Sequence, residues 1–171
     1  HHWLVAAAQA GHAQALLTWS ELLQQHDPEL ARAAVLRAAQ AGLPEAEYRL
    51  DLQLMKAAGS GAASDARNWL EQAAAQHHLA ARSRLGLLLC TGEQDVRERA
   101  RGLTLLQSAA DEGDPAANWN LALMYAAGTN GLQRDATAAL ERCRLAADTG
   151  FAPAMATMGL LCASLQRAED A

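Results

Sequence analysis

Few residues in the chain could do chemistry, and their spacing works against it. His77 and His78 are adjacent, so on a helix they point about 100° apart, and no Asp, Glu or Cys stands three or four residues away to complete a metal set. They read as a pair in a turn. Asp111, Glu112 and Asp114 could serve as a paired general acid and base. They flank Gly113 without apolar residues to enclose them, however, and read as solvated residues at helix ends. Cys90, Cys143 and Cys162 are odd in number and form no C-x-x-C pair, which points to buried free thiols. Cys143 and Cys162 could face each other in one helical hairpin, which matters only in an oxidising compartment. The sequence thus predicts no catalytic residue, no cofactor and no metal.

The composition sets the elements that must carry any surface function. Of 171 residues, 42 are alanine and 28 leucine, while isoleucine is absent and valine occurs three times. These are strong helix formers with almost none of the β-branched residues that strands favour, so an all-α fold follows. With 51% hydrophobic and 19% charged residues the chain matches neither a disordered tail nor a membrane protein. No apolar run is long enough to insert into a membrane. The net charge is −5, with 13 arginines and one lysine, Lys56, scattered rather than clustered, which argues against nucleic acid. The chain begins at His1-His2 rather than Met and opens on no signal peptide, as a processed product or a fragment would.

Self-similarity organises the whole length. Five segments align on a Gly that follows two alanines, at Gly11, Gly42, His77 (the one departure), Gly113 and Gly150, spaced 31, 35, 36 and 37 residues apart. Alanine fills the positions four and three before each anchor and four after it, as in Ala38, Ala39 and Ala46. Eight residues after the anchors stand Trp19, Leu50, Leu85, Leu121 and Met158. Each unit reads as two helices joined by a tight turn, with the anchor as a left-handed cap. Pro44, Pro115 and Pro153 then open second helices, and Asp27 and Asp95 cap first helices. The longer connections, Gly59-Ser60-Gly61 and Gly128-Thr129-Asn130-Gly131, link one hairpin to the next. Alanine methyls let the two helices approach at the crossing nearest the turn, and Gly86, Ala122 and Gly159 let the next unit pack close.

The run Trp69-Leu70-x-x-Ala73-Ala74 leading to Ala81-x-x-x-Leu85-Gly86-x-Leu88 resembles the Sel1-like repeat, a relative of the tetratricopeptide repeat. The fourth unit matches more fully, with Ala117-Asn118-Trp119-Asn120-Leu121-Ala122-Leu123-Met124-Tyr125, Gly128 and Gly131-Leu132-x-x-Asp135. Departures are His77 for an anchor Gly, Ser20 and Asp51 for the Gly after Leu, and missing glycine loops in units one and five. The resemblance implies a right-handed superhelix of about five α-hairpins over residues 1–171, a single domain with units near 1–27, 28–63, 64–94, 95–133 and 134–171. It implies a bacterial, cytoplasmic or periplasmic adaptor without a common catalytic residue. A Ser-x-x-Lys nucleophile, as penicillin-directed chemistry would need, is unsupported, because Gln53 stands three before Lys56. Trp3 and Trp69 fall at the family's packing position and Trp19 at the apolar one; Trp119 falls off the pattern.

In such arrays the first helices line a concave wall. Positions eight, seven, four and three before each anchor are buried, so nine, five and two before it face outward. They are His2, Ala6 and Gln9; Ala33, Arg37 and Gln40; Asn68, Gln72 and Ala75; Thr104, Ser108 and Asp111; Glu141, Leu145 and Asp148. This polar stripe is either an ordinary solvated face or a groove for a protein or peptide partner. Residues 1–85 hold seven basic and eight acidic side chains, residues 86–171 seven and eleven, so a partner would set an acidic part near Arg37 and a basic part near Asp111, Glu141 and Asp148. The competing expectation is an assembly module of an envelope, secretion or polysaccharide-export complex that docks by its ends or convex face. Nothing in the sequence sets the oligomeric state.

Overall fold

The computed structural model describes residues 2–56, 60–91 and 95–159, apart from the side chains of Lys56 and residues 60–64. Those described are helices and short connections without a strand. In order they are α1 (His2–Gln9), α2 (Ala13–Leu23), α3 (Pro28–Gln40), α4 (Pro44–Lys56), α5 (Ser60–Ala75), α6 (Leu79–Thr91), α7 (Val96–Asp111), α8 (Pro115–Ala127) and α9 (Ala136–Asp148). Residues 152–159 are helical as well. The chain divides into two compact units, His1–Ala81 and Arg82–Ala171.

The expected punctuation is present. Gly11, Gly42, Gly113 and Gly150 all have positive φ, between 79° and 94°, and His77 takes the same left-handed turn at 61° without being a glycine. Asp27 and Asp95 accept from the backbone N–H groups of Leu30 and Glu98, at 3.0 and 2.8 Å. Asp114 and Asp135 do the same for Ala117 and Ala138. After the exceptional anchor a histidine takes this place: His78 Nδ1 accepts from the Ala81 N–H at 3.2 Å. Its Nε2 is then left to donate, and lies 2.9 Å from a Glu45 carboxylate oxygen. The histidine pair is a turn with a structural job. Gly128 closes α8 in a left-handed conformation and the loop to Asp135 follows, as expected. Ser60 and Gly61 instead open α5 rather than a connection. A helix's first turn has no N–H bonds to lose and accommodates Ser and Gly readily.

In unit 1, α1 packs on α2, α2 on α3, α3 on α4 and α4 on α5. Its core joins Leu16 and Leu17 to Val35, Leu50 and the register alanines Ala8, Ala38, Ala39 and Ala46. In unit 2, α7 packs on α8 and α8 on α9. A cluster of Ala122, Cys143, Ala146 and Ala154 is edged by Trp119 and Phe151. Of the three cysteines, Cys90 and Cys143 are buried, and burial pushes the Cys90 thiol up; Cys162 lies outside the described residues. Trp69 packs against the unit 1 core, but Trp3, at the same register position, is 85% exposed. That position faces the second helix of a preceding hairpin, and α1 has none before it among the described residues. Trp119 is half-buried and donates its indole N–H to the Thr157 hydroxyl at 3.0 Å.

One repeating feature does not follow from the alanine pattern. The position five after each of the first four anchors is buried, and it holds Leu16, then Glu47, Arg82 and Asn118; after the fifth anchor it is Met155, which is exposed. The Gln76 amide donates to both Glu47 oxygens, at 3.0 and 2.9 Å. Burial raises the Glu47 carboxyl above its ordinary value of 4.5, against the opposing pull of the Gln76 hydrogen bonds and of His78. The folded state therefore holds this proton more tightly than the unfolded chain, and Glu47 adds stability as pH falls from neutral toward 4.5. Burial would raise neighbouring Glu45 too, but hydrogen bonds and charge from Arg49 and His78 outweigh it and hold that carboxyl low. Glu45 accordingly costs stability only as pH falls below 4.5. The neutral variant Glu47→Gln should be more stable than the parent at pH 7.5, with the gap closing at pH 5. Urea denaturation at the two pH values measures it, and a gap that widens on acidification would contradict the assignment.

Candidate binding surface

The outward positions all lie on α1, α3, α5, α7 and α9, the first helix of each pair. His2, Gln9, Arg37, Gln40, Asn68, Gln72, Thr104, Asp111, Glu141 and Asp148 are exposed, and so are the four apolar members of the series, Ala6, Ala33, Ala75 and Leu145. Ser108 alone is half-buried. On the opposite face of the same helices Ala8, Ala38, Ala73, Ala109 and Ala146 are each at most 1% exposed. A period of 3.6 residues with one small-residue stripe committed to packing leaves the other side to solvent.

The charges on these faces differ in how far they are committed. Asp111 receives a hydrogen bond from Arg142 at 3.1 Å, and that guanidinium also reaches the Asn118 carbonyl at 3.2 Å. Asp148 lies 3.8 Å from Arg144, with both side chains well exposed. Ser108 accepts from Arg82 at 3.0 Å. Thr104 donates to its own helix, to the Ala100 carbonyl. Arg37 and Glu141 form no ion pair among the described residues, which leaves one uncommitted cation on α3 and one uncommitted anion on α9.

Sequence reading missed the buried polar residues Glu47, Asp51, Arg82 and Asn118. The signal was available: three of them stand directly after the register alanines Ala46, Ala81 and Ala117, where the helical period continues the packed stripe. It also treated Asp111, Glu112 and Asp114 as equally solvated, whereas Asp114 is 7% exposed and caps α8. Glu112 grips the buried Arg82. Among the described residues no group of three or more His, Cys, Asp or Glu is placed to hold a metal, and no helix is long and apolar enough to cross a membrane.

The hairpin architecture has close counterparts among solved structures. A Sel1 repeat protein from Oxalobacter formigenes superimposes over 88% of this chain with a TM-score of 0.75 at 26% identity. The fold is the Sel1-like repeat fold. A second Sel1-like repeat structure, c5321, described as a protective antigen of uropathogenic Escherichia coli strains, matches over 94% of the chain with a TM-score of 0.52 at 19% identity. This chain spans 63% of the length of the Oxalobacter protein and 43% of the Escherichia coli one. No family model matches the sequence, and no curated protein does. Within the Sel1-like repeat, the exposed first-helix faces are the surfaces left over once the alanine stripes are packed.

Proposed function

We propose that the chain is a non-enzymatic interaction scaffold that binds a protein or peptide partner along the exposed faces of its first helices. The observation that supports this reading is the division of labour on those helices, where alanine stripes form the core and a polar series faces out at a fixed register. Uncommitted Arg37 and Glu141 supply charge that steers and orients a partner more than it adds affinity. Arg37→Glu and Glu141→Lys should each lower capture of the native partner by about tenfold at low salt, with a flatter salt dependence than the parent. Arg97→Gln, on the exposed first turn of α7, is the control. Full capture by both charge reversals would overturn the reading.

Trp3 favours a second one. A large exposed indole at a position that is packed in Trp69 suits docking through the exposed face of α1, as an assembly module would use. In that case Trp3→Ser abolishes capture while the charge reversals leave it intact.

A further inference from the structure

Unit 1 contains two open clefts that share the side chains of Arg32 and Gln53. One, about 320 Å³, opens where α2 meets α3 and α4, and Ser20, Ala31 and Val35 contribute to its walls. The other, about 490 Å³, lies against α3 and α4 and is walled by Ala33, Leu36, Leu50 and Leu54. The first differs from the corresponding place in unit 2 at two residues. In unit 2, α6 and α7 meet backbone to backbone at Gly86 and Gly102. The same register positions in α2 and α3 are Ser20 and Ala31, so each helix carries a side chain where the other pair has none.

The polar groups at the clefts are unequally satisfied. Glu21 and Glu45 are held by one guanidinium, that of Arg49, at 2.6 and 2.7 Å. Among the described residues Arg32 has only Glu29, one turn away at 2.8 Å, and the two side chains are 63% and 81% exposed. Such a pair is worth little and exchanges readily for a better carboxylate. Gln53 Oε1 is buried and has no hydrogen-bond partner among the described residues. A buried acceptor calls for a donor. On the larger cleft's rim Leu36 is 38% exposed, and Arg37, the next residue of α3, adds uncommitted positive charge.

We propose that these clefts hold an extended segment of a partner protein in which an acidic residue and a large apolar residue stand two positions apart. In an extended chain residues i and i+2 share a face. The carboxylate takes Arg32 in place of Glu29, the Gln53 amide turns toward the cleft so that its Oε1 accepts a backbone N–H of the segment, and the apolar side chain fills the larger cleft. Acidic rather than basic follows from the balance of loosely held charge: Arg32 and Arg37 bring two guanidinium groups, against which stands the one exposed carboxylate of Glu29, while Glu21 is already held by Arg49. The inference rests on the interaction-scaffold reading and names the partner's chemistry in one place.

The test is fluorescence anisotropy of the intact chain with a labelled peptide, Gly-Ser-Glu-Ala-Leu-Ser-Gly, and its Lys-Ala-Leu and Glu-Ala-Ser counterparts. The Glu-Ala-Leu peptide should bind at least tenfold tighter than either. Arg32→Gln and Gln53→Leu should each weaken it by about tenfold, and Arg97→Gln should not. Gln53→Leu replaces an unsatisfied acceptor by an apolar group of similar size and keeps the fold, and an unchanged melting curve checks this. Equal binding of the Lys-Ala-Leu peptide, no saturable binding of any of the three, or binding indifferent to both cleft variants would overturn the proposal. The scaffold reading is judged separately, by capture of the native partner with Arg37→Glu and Glu141→Lys.

Discussion

Gly102→Ala is expected to destabilise the fold by about 1–3 kcal/mol, although alanine is the better helix former by about 1 kcal/mol. A Cβ on Gly102 would stand 2.7 Å from the Gly86 carbonyl oxygen, 2.8 Å from Leu89 Cβ and 3.0 Å from the Cys90 sulfur. A Cβ on Gly86 would likewise meet the Gly102 carbonyl oxygen at 2.8 Å. Two of these obstacles are main-chain oxygens of rigid helices, so relief requires α6 and α7 to separate along their shared face. Gly159→Ala is the matched control. It too is a helical glycine, but nothing among the described residues lies within 4 Å of its added methyl, and the substitution should be neutral or slightly stabilising. Urea denaturation of the two variants compares them. If Gly102→Ala gains stability as Gly159→Ala does, the close approach of α6 and α7 is wrong.

The second large effect concerns Arg82, whose side chain is 7% exposed. Its Nη2 donates to Glu112 at 2.5 Å and its Nη1 to the Ser108 hydroxyl at 3.0 Å, while the buried Nε has no partner among the described residues. Glu112→Ala should cost about 2–3 kcal/mol, because it strands a buried cation. The value falls below that for a sealed pair since Glu112 is 54% exposed, and water can reach part of the guanidinium once the carboxylate is gone. Arg82→Leu removes the charge together with its unpaired N–H and leaves Glu112 to the solvent, so it should cost about 1 kcal/mol or less. The asymmetry is the prediction. An equal or greater loss in Arg82→Leu would mean that the arginine contributes mainly by packing.

How much of this was legible in the sequence depends on how local the cause is. Anchor turns, proline starts and aspartate caps are decided within a few residues, so Gly42, Pro44 and Asp95 could be placed by type and spacing alone. The alanine crossings were legible because the same small residue recurs in fixed register, which composition cannot mimic. Gly102 was not, since its role appears only when it is set opposite Gly86, sixteen residues earlier on another helix. Glu47, Arg82 and Asn118 were missed because a polar residue signals solvent unless its partner is known, and Gln76, Glu112 and Arg142 stand 24 to 30 residues away. The exposure of Trp3 fell outside repeat logic for a related reason. The repeat predicts that this position meets a preceding second helix, and α1 has none before it among the described residues. Of the outward face, helical period alone predicted the exposure of the polar stripe, whereas the ties of Asp111 to Arg142 and of Ser108 to Arg82 needed the second helices in place.

The most direct test of partner binding along the first helices is site-specific photocrosslinking in the native host. A photoreactive phenylalanine analogue would be placed at Gln40, Gln72 or Glu141 on those faces, and at Leu123 or Met155 on second helices as controls. The account predicts that mass spectrometry finds one and the same partner crosslinked from the first-helix positions and absent from Leu123 and Met155. Crosslinks of that partner from the second-helix positions, with none from Gln40, Gln72 or Glu141, would contradict it.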